Sequence, residues 1–233
     1  MHSETAVEGR SSGVKSEAMG RFCADMAEGL HALAQPLTIL RSAVAAAGSP
    51  KVDANGQRRY LDISNQQVER ACGLFECLQD LVIANQTEAD CEPFDLPALL
   101  APVIDDQRTV LRAAGIELRV TVPAELPPVQ GDVARTLQPL FAALKIAASV
   151  TSPGGAVELA IATNNGRVEL TIRSIGAQAR PLNSTERLSL ALAEANIRSQ
   201  QGDYQCSEEP FRVSIQLKLA SLAGPATSDF DSK

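Results

Sequence analysis

His31 is the residue of this sequence whose surroundings best suit nucleophilic chemistry. It lies in a mostly apolar segment, residues 27–41, which has the pattern of a helix and also contains Pro36. Gln35 falls one helical turn after His31 and therefore shares its face. An imidazole is largely neutral near pH 7 and can accept a transferred group on nitrogen, and a nearby amide can orient a water or that group. The same pattern also fits a plain surface or core histidine, with Pro36 as a structural kink.

Two long apolar patterns predict the element that carries His31. The first comprises Phe22, Met26, Leu30, Leu33, Leu37, Leu40 and Val44. The second comprises Leu61, Ser64, Val68, Cys72, Phe75, Leu78 and Val82. The break at 48–56 contains Gly, Pro and Asn and permits a tight reversal, so we expect an antiparallel helical hairpin over residues 18–87. One hairpin leaves half of each apolar stripe in water, which predicts a homodimer that closes a four-helix bundle.

After residue 87 the sequence changes to a mixture of helical and strand patterns. Helices are expected over 96–114, 132–150 and 185–199. Alternating strand patterns occupy 116–122, 157–163, 168–175, 204–207 and 212–219. This order predicts an α+β fold in which residues 88–222 form a mixed sheet with helices on one face. Residues 1–17 and 223–233 lack periodicity and are expected to be disordered tails.

Composition restricts the classes of partner. The net charge of -7 and the pI near 5.0 argue against sequence-independent binding to nucleic acid or to an anionic membrane. The sequence has no signal-peptide pattern and no apolar run long enough to span a bilayer. Its five cysteines form no C-x-x-C pair and predict no metal site. We therefore expect a cytoplasmic protein with reduced thiols.

Several short motifs, taken in order, resemble the transmitter region of histidine kinases. His31-Ala-Leu-Ala-Gln-Pro-Leu-Thr38 is similar to the H-box of that family. Farther along, Pro93-Phe-Asp-Leu96, Gly131-Asp-Val-Ala-Arg-Thr-Leu-Gln138 and Thr151-Ser-Pro-Gly-Gly155 resemble successive segments of its ATP-binding domain. The resemblance covers roughly residues 19–220 and implies a dimeric hairpin with His31 as phosphoacceptor, followed by a Bergerat-type α/β domain.

The departures from that family lie where it binds nucleotide. Ala142 and Ile146 stand where the family has asparagines, one of which helps to hold Mg²⁺, and neither side chain offers the oxygen that this ion requires. The Asp-x-Gly-x-Gly loop appears as Ser174-Ile-Gly-Ala-Gln178, and the next glycine-rich box as Leu188-Ser-Leu-Ala191. In addition, Ala32 replaces the acidic residue that follows the histidine. The resemblance therefore implies a degenerate domain that has lost ATP binding.

A retained histidine beside eroded nucleotide motifs predicts a histidine phosphotransferase of a phosphorelay. His31 would accept a phosphoryl group from the aspartate of a response-regulator receiver domain and pass it to another receiver. Gln35 would orient water or the phosphoryl group. The receiver would supply Mg²⁺, so no cofactor of this chain's own is expected. The alternatives are an inactive pseudokinase scaffold for two-component proteins and an ATP-dependent sensor histidine kinase.

Overall fold

Two long helices form the antiparallel hairpin that the sequence predicts. The computed structural model describes residues 5–177 and 180–220. Helix α1 spans Thr5–Ala47 and helix α2 spans Ala54–Gln86, and the two pack against each other. Asp53 begins α2 as its N-cap and accepts a hydrogen bond from the Gly56 amide at 2.8 Å.

The first helix begins earlier than the sequence suggests. We expected a disordered segment up to residue 17, whereas α1 begins at Thr5. The segment lacks an apolar period, but no proline interrupts it, and it contains the helix formers Ala6, Glu8, Arg10, Lys15 and Glu17. Residues 1–4 and the predicted tail at 223–233 lie outside the described residues.

Three further helices and seven strands occupy the remainder of the described chain. The helices are α3 (Leu96–Ala113), α4 (Val133–Val150) and α5 (Ser184–Ser199). The strands are β1 (Glu92–Phe94), β2 (Glu117–Thr121), β3 (Val129–Gly131), β4 (Thr151–Asn164), β5 (Arg167–Ala177), β6 (Asp203–Glu208) and β7 (Phe211–Leu219). All three predicted helices and all five predicted strands are confirmed. The short strands β1 and β3 are additional.

The strands form one mixed sheet in the order β1-β3-β7-β5-β4-β2, and β6 pairs with β7 beside β3. Among the strands of the described residues, the β2–β4 pair is parallel and the other pairs are antiparallel. The β4–β5 hairpin turns at Asn165 and Gly166, both of which have positive φ, as the Asn-Gly signal predicts. The mixed α+β architecture is confirmed.

One face of the sheet contributes to the core and the other faces water. On β5, Leu170 and Ile172 are fully buried, whereas Glu169 and Arg173 point to the opposite, exposed side. Helices α3, α4 and α5 cover the buried face. The helices therefore lie on one side, which is the layer arrangement that the order of elements predicts.

The apolar side chains of the hairpin divide into a buried set and an exposed set. Three exposed apolar residues on each helix, spaced seven residues apart, form what we call the exposed stripe. They are Leu30, Leu37 and Val44 on α1, and Leu61, Val68 and Phe75 on α2. Each is between 44% and 57% exposed. Small residues such as Ala32 and Ala43 are buried instead. The predicted α1 pattern thus divides into a part that packs in the cluster with α2, which includes Phe22, Met26 and Leu33, and a part that stays exposed in a single chain.

Candidate functional site

His31 lies exposed on α1, at the edge of an open groove. The groove has a volume of about 530 Å³ and is lined by His31, Ala32, Ala34, Gln35, Thr38, Ile39 and Ser184. The structure thus brings His31 and Gln35 to one surface, as their spacing requires. Ser184 belongs to the first turn of α5, so the α/β domain forms one wall of the groove. A protein loop could reach the imidazole from the open side.

Pro36 shapes α1 one turn beyond His31. The ring lacks an amide hydrogen and cannot donate to the carbonyl of Ala32, so one helical hydrogen bond is absent beside the histidine. Thr38 donates from Oγ1 to the carbonyl oxygen of Ala34 at 2.9 Å, and Pro36 itself is buried. The helix nevertheless continues to Ala47. The proline therefore locally weakens the helix that carries the histidine without ending it.

Two positions that the sequence resemblance relates to Mg²⁺ and adenine binding, Ile146 and Ser174, are occupied by packed side chains. Ile146 is 4% exposed and belongs to the core beneath the sheet. Ser174 and Thr151 are each 7% exposed, and their hydroxyl oxygens are hydrogen-bonded to each other at 2.6 Å. The Thr151 hydroxyl also lies 2.6 Å from the carbonyl oxygen of Ala147. These polar groups are thus satisfied within the protein.

A charged network covers the N-terminal turn of α5. Arg180 donates to both carboxylate oxygens of Glu186, at 2.6 and 2.9 Å, and the Ser149 hydroxyl donates to the same carboxylate at 2.9 Å. Asn183 and Glu186 form a reciprocal capping box. The Arg180 guanidinium, the Asn183 amide and the Ser149 hydroxyl together outweigh desolvation and lower the pKa of Glu186 to about 2. A carboxylate of the chain thus occupies the anion-attracting end of this helix.

Replacing Glu186 by glutamine is expected to change the response to acid. The folded-state pKa lies below the ordinary value of 4.5, so the stabilisation by Glu186 is complete above that value and is lost as pH falls toward about 2. We expect Glu186→Gln to lower the free energy of unfolding by about 1 kcal/mol at pH 7 and to flatten its decline between pH 4.5 and 2. Urea titrations at several pH values measure both effects. The exposed carboxylate of Glu125 offers a matched control, since Glu125→Gln should leave the profile unchanged.

Sequence patterns do not reveal every residue at these sites. The Asn183-to-Glu186 spacing is a visible capping signal. Arg180 carries no local signal, because its pairing depends on the path of the preceding loop. Ser184 likewise reaches the His31 groove only through the docking of α5, about 150 residues away along the chain.

The arrangement of helices and strands is similar to solved histidine kinase structures. The Acinetobacter baumannii histidine kinase AdeS superposes with a TM-score of 0.63 at 23% identity, over 81% of this chain and 98% of that chain. Full-length ShkA in complex with AMPPNP superposes with a TM-score of 0.58 at 18% identity, over 80% of this chain and 46% of that chain. This chain therefore spans less than half of ShkA. No protein-family model matches the sequence, and no curated protein matches it either.

The chain therefore has a histidine kinase-like fold. This confirms the expected likeness to histidine kinases at the level of architecture. Among the helices in the described ranges, none is both long and apolar enough to cross a membrane.

Proposed function

We propose that the chain is a two-component signalling protein that transfers phosphoryl groups through His31. In the forward step, a nitrogen of the His31 imidazole attacks the phosphorus of an aspartyl phosphate on a receiver domain. An N–P bond forms, the P–O bond breaks, and the electron pair returns to the aspartate carboxylate. Transfer to a second receiver reverses these bond changes. The receiver's Mg²⁺ neutralises charge on the phosphoryl group during both steps.

One contrast carries this proposal. His31 lies open at a groove, whereas Ile146 and Ser174, at positions that the resemblance relates to nucleotide binding, are packed, and Glu186 is paired with Arg180 at the N-terminus of α5. A receiver brings both phosphoryl group and metal to an exposed histidine, so the chain needs chiefly to present the nucleophile. Gln35, one turn away on the same groove, would orient the phosphoryl group or a water.

The exposed stripe supports a homodimer as part of the same proposal. Its six apolar residues repeat every seven positions on both helices of the hairpin. A second copy of the hairpin would cover them by forming a four-helix bundle with coiled-coil packing. Each protomer would then present one His31.

An ATP-dependent sensor histidine kinase is the second candidate. It is favoured by the likeness to AdeS, which is named as a histidine kinase, and to ShkA, which was solved with AMPPNP. The packed residues at the nucleotide positions favour phosphotransfer instead. A scaffold that binds two-component proteins without phosphorylation is a third outcome that the labelling experiment distinguishes.

Titration with AMPPNP and Mg²⁺ separates the first two candidates. We expect no saturable heat of binding up to about 1 mM, corresponding to less than about 4 kcal/mol of binding free energy, because Ile146 offers no ligand for Mg²⁺ and the paired Glu186 carboxylate already occupies the N-terminus of α5. ShkA serves as the positive control in the same buffer. Micromolar binding, together with labelling of His31 by γ-³²P-ATP alone, would establish the kinase instead.

A further inference from the structure

Helix α5 has two apolar faces that serve two different partners. Leu190, Ala193 and Ile197 are buried in the core beneath the sheet. Leu188 and Leu192 are 2% and 3% exposed and belong to a separate cluster with the hairpin. An isolated α/β domain would leave this second face in water.

The second face is covered mainly by α2. Leu74, Leu78 and Leu81 of α2 are almost completely buried in the same cluster. They recur at intervals of four and three residues, which aligns them along one side of that helix. Two apolar stripes therefore meet along the α2–α5 contact. The stretch Leu188-Ser-Leu-Ala191, which contains part of this face, is the one interpreted above as a replaced glycine-rich box.

Gly29 of α1 permits a particularly close approach at the same place. A Cβ atom at Gly29 would lie 2.5 Å from Leu78 Cδ2 and 3.1 Å from Leu188 Cδ1. Any larger residue must displace a leucine from either α2 or α5. Helices α1, α2 and α5 thus approach one another closely at a glycine, which has no side chain.

Polar side chains also connect the hairpin to the α/β domain at both ends of α5. Near the first turn of α5, Arg187 approaches the Glu28 carboxylate of α1 at 3.9 Å. At the other end, Arg135 of α4 donates to the Thr87 carbonyl oxygen at 3.1 Å and to the Ser199 hydroxyl at 2.7 Å. It also contacts the Thr87 hydroxyl. Arg135 therefore ties the end of the hairpin to α4 and α5 together.

We propose that α5 locks the α/β domain onto the hairpin in one permanent arrangement, with the Leu188/Leu192 face as the docking surface. The occupant of that surface is this chain's own α2, with Gly29 of α1 beside it. The domain is then a fixed wall next to His31 rather than a body that swings toward it. This lock does not depend on whether His31 is phosphorylated.

Cys77 is a native reporter of this lock. It is half-buried and packs against the α2–α5 cluster. Burial and the Asp80 carboxylate raise the pKa of its thiol to about 11. Cys206 is a matched reference on β6: partial desolvation and the Glu208 carboxylate raise its pKa to about 11 as well, yet the residue is exposed. The two thiols differ chiefly in access.

The experiment follows alkylation of the full chain by N-ethylmaleimide with site-resolved mass spectrometry. In the native protein, Cys77 should react severalfold more slowly than Cys206, since α5 packs over part of the half-buried Cys77 whereas Cys206 is exposed. Leu188→Asp should raise the Cys77 rate to about that of Cys206 and leave the Cys206 rate unchanged. Val110→Asp, at an exposed position of α3, is the control that should change neither.

Gly29→Leu provides a second route to the same test. Leucine is a strong helix former, so α1 is preserved while its side chain separates α2 from α5. Far-UV circular dichroism verifies that each variant keeps its helices. Equal rates for Cys77 and Cys206 in the native chain would overturn the lock. The lock would also be overturned if both variants fold and Cys77 reacts no faster in them than in the native chain. If Leu188→Asp does not fold, the same result in Gly29→Leu alone would overturn it.

Discussion

Replacing His31 by glutamine is expected to reduce phosphoryl labelling of the chain to background. The label is supplied by receiver domains from the same genome, each carrying ³²P on its aspartate. A phosphohistidine is labile in acid and survives alkali, so the bound label should show that pattern in the native chain. Glutamine keeps a polar side chain on the exposed face but has no nucleophilic ring nitrogen.

The sequence offers a matched control for this experiment. His2, the only other histidine, lies outside the described residues. His2→Gln should retain full labelling. A loss of label in His31→Gln is then due to the histidine at the groove and not to the removal of any histidine. Failure of every receiver to label the native chain would contradict the proposed transfer. Receiver binding that survives in His31→Gln, without label in either protein, would identify a scaffold.

Replacing Leu37 by aspartate is expected to convert a dimer into a monomer. Leu37 lies in the middle of the exposed stripe on α1 and is 48% exposed in a single chain. Burying a leucine contributes about 1.5–3 kcal/mol to the free energy of association. The two-fold symmetric dimer contains two copies of Leu37, so the substitution acts twice. The dimerisation constant should therefore weaken by roughly a hundredfold to ten-thousandfold. Phe75→Asp on α2 should act in the same way.

Sedimentation equilibrium measures this change directly. The native chain should have about twice the monomer mass of 24.6 kDa, and Leu37→Asp should have the monomer mass at the same micromolar concentration. Val110→Asp, on an exposed site of α3, should remain dimeric. A native chain that sediments as a monomer would show that a second copy does not cover the stripe.

The strands near the site follow largely from local sequence patterns. Strands β4 and β5 are predictable because apolar and polar residues alternate on both sides of the Asn-Gly turn. Strands β1 and β3 are not, since three residues are too few to display an alternation. Helix ends are predictable where a capping residue marks them, as Asp132 does for α4.

Burial within the hairpin is less predictable. The apolar period predicts which large residues, such as Leu30 and Leu33, share a helix face. It does not predict that small residues such as Ala32 and Ala43 are buried where the helices pack closely. A sequence pattern also cannot tell which helix a given face meets. The face containing Leu188 packs on α2 through a tertiary contact, and no local sequence pattern predicts that contact.

The seven-residue spacing of the exposed stripe also determines the winding of the hairpin. Seven residues fall short of two full turns of a straight α-helix by about 20°, so a stripe with this repeat drifts around an uncoiled helix. From Val44 to Leu30 the drift amounts to about 40° over two repeats. It is removed when the helices coil around one another with a left-handed sense. His31 directly follows a stripe position, so in the proposed dimeric bundle the direction in which His31 points would depend on the pitch of that superhelix.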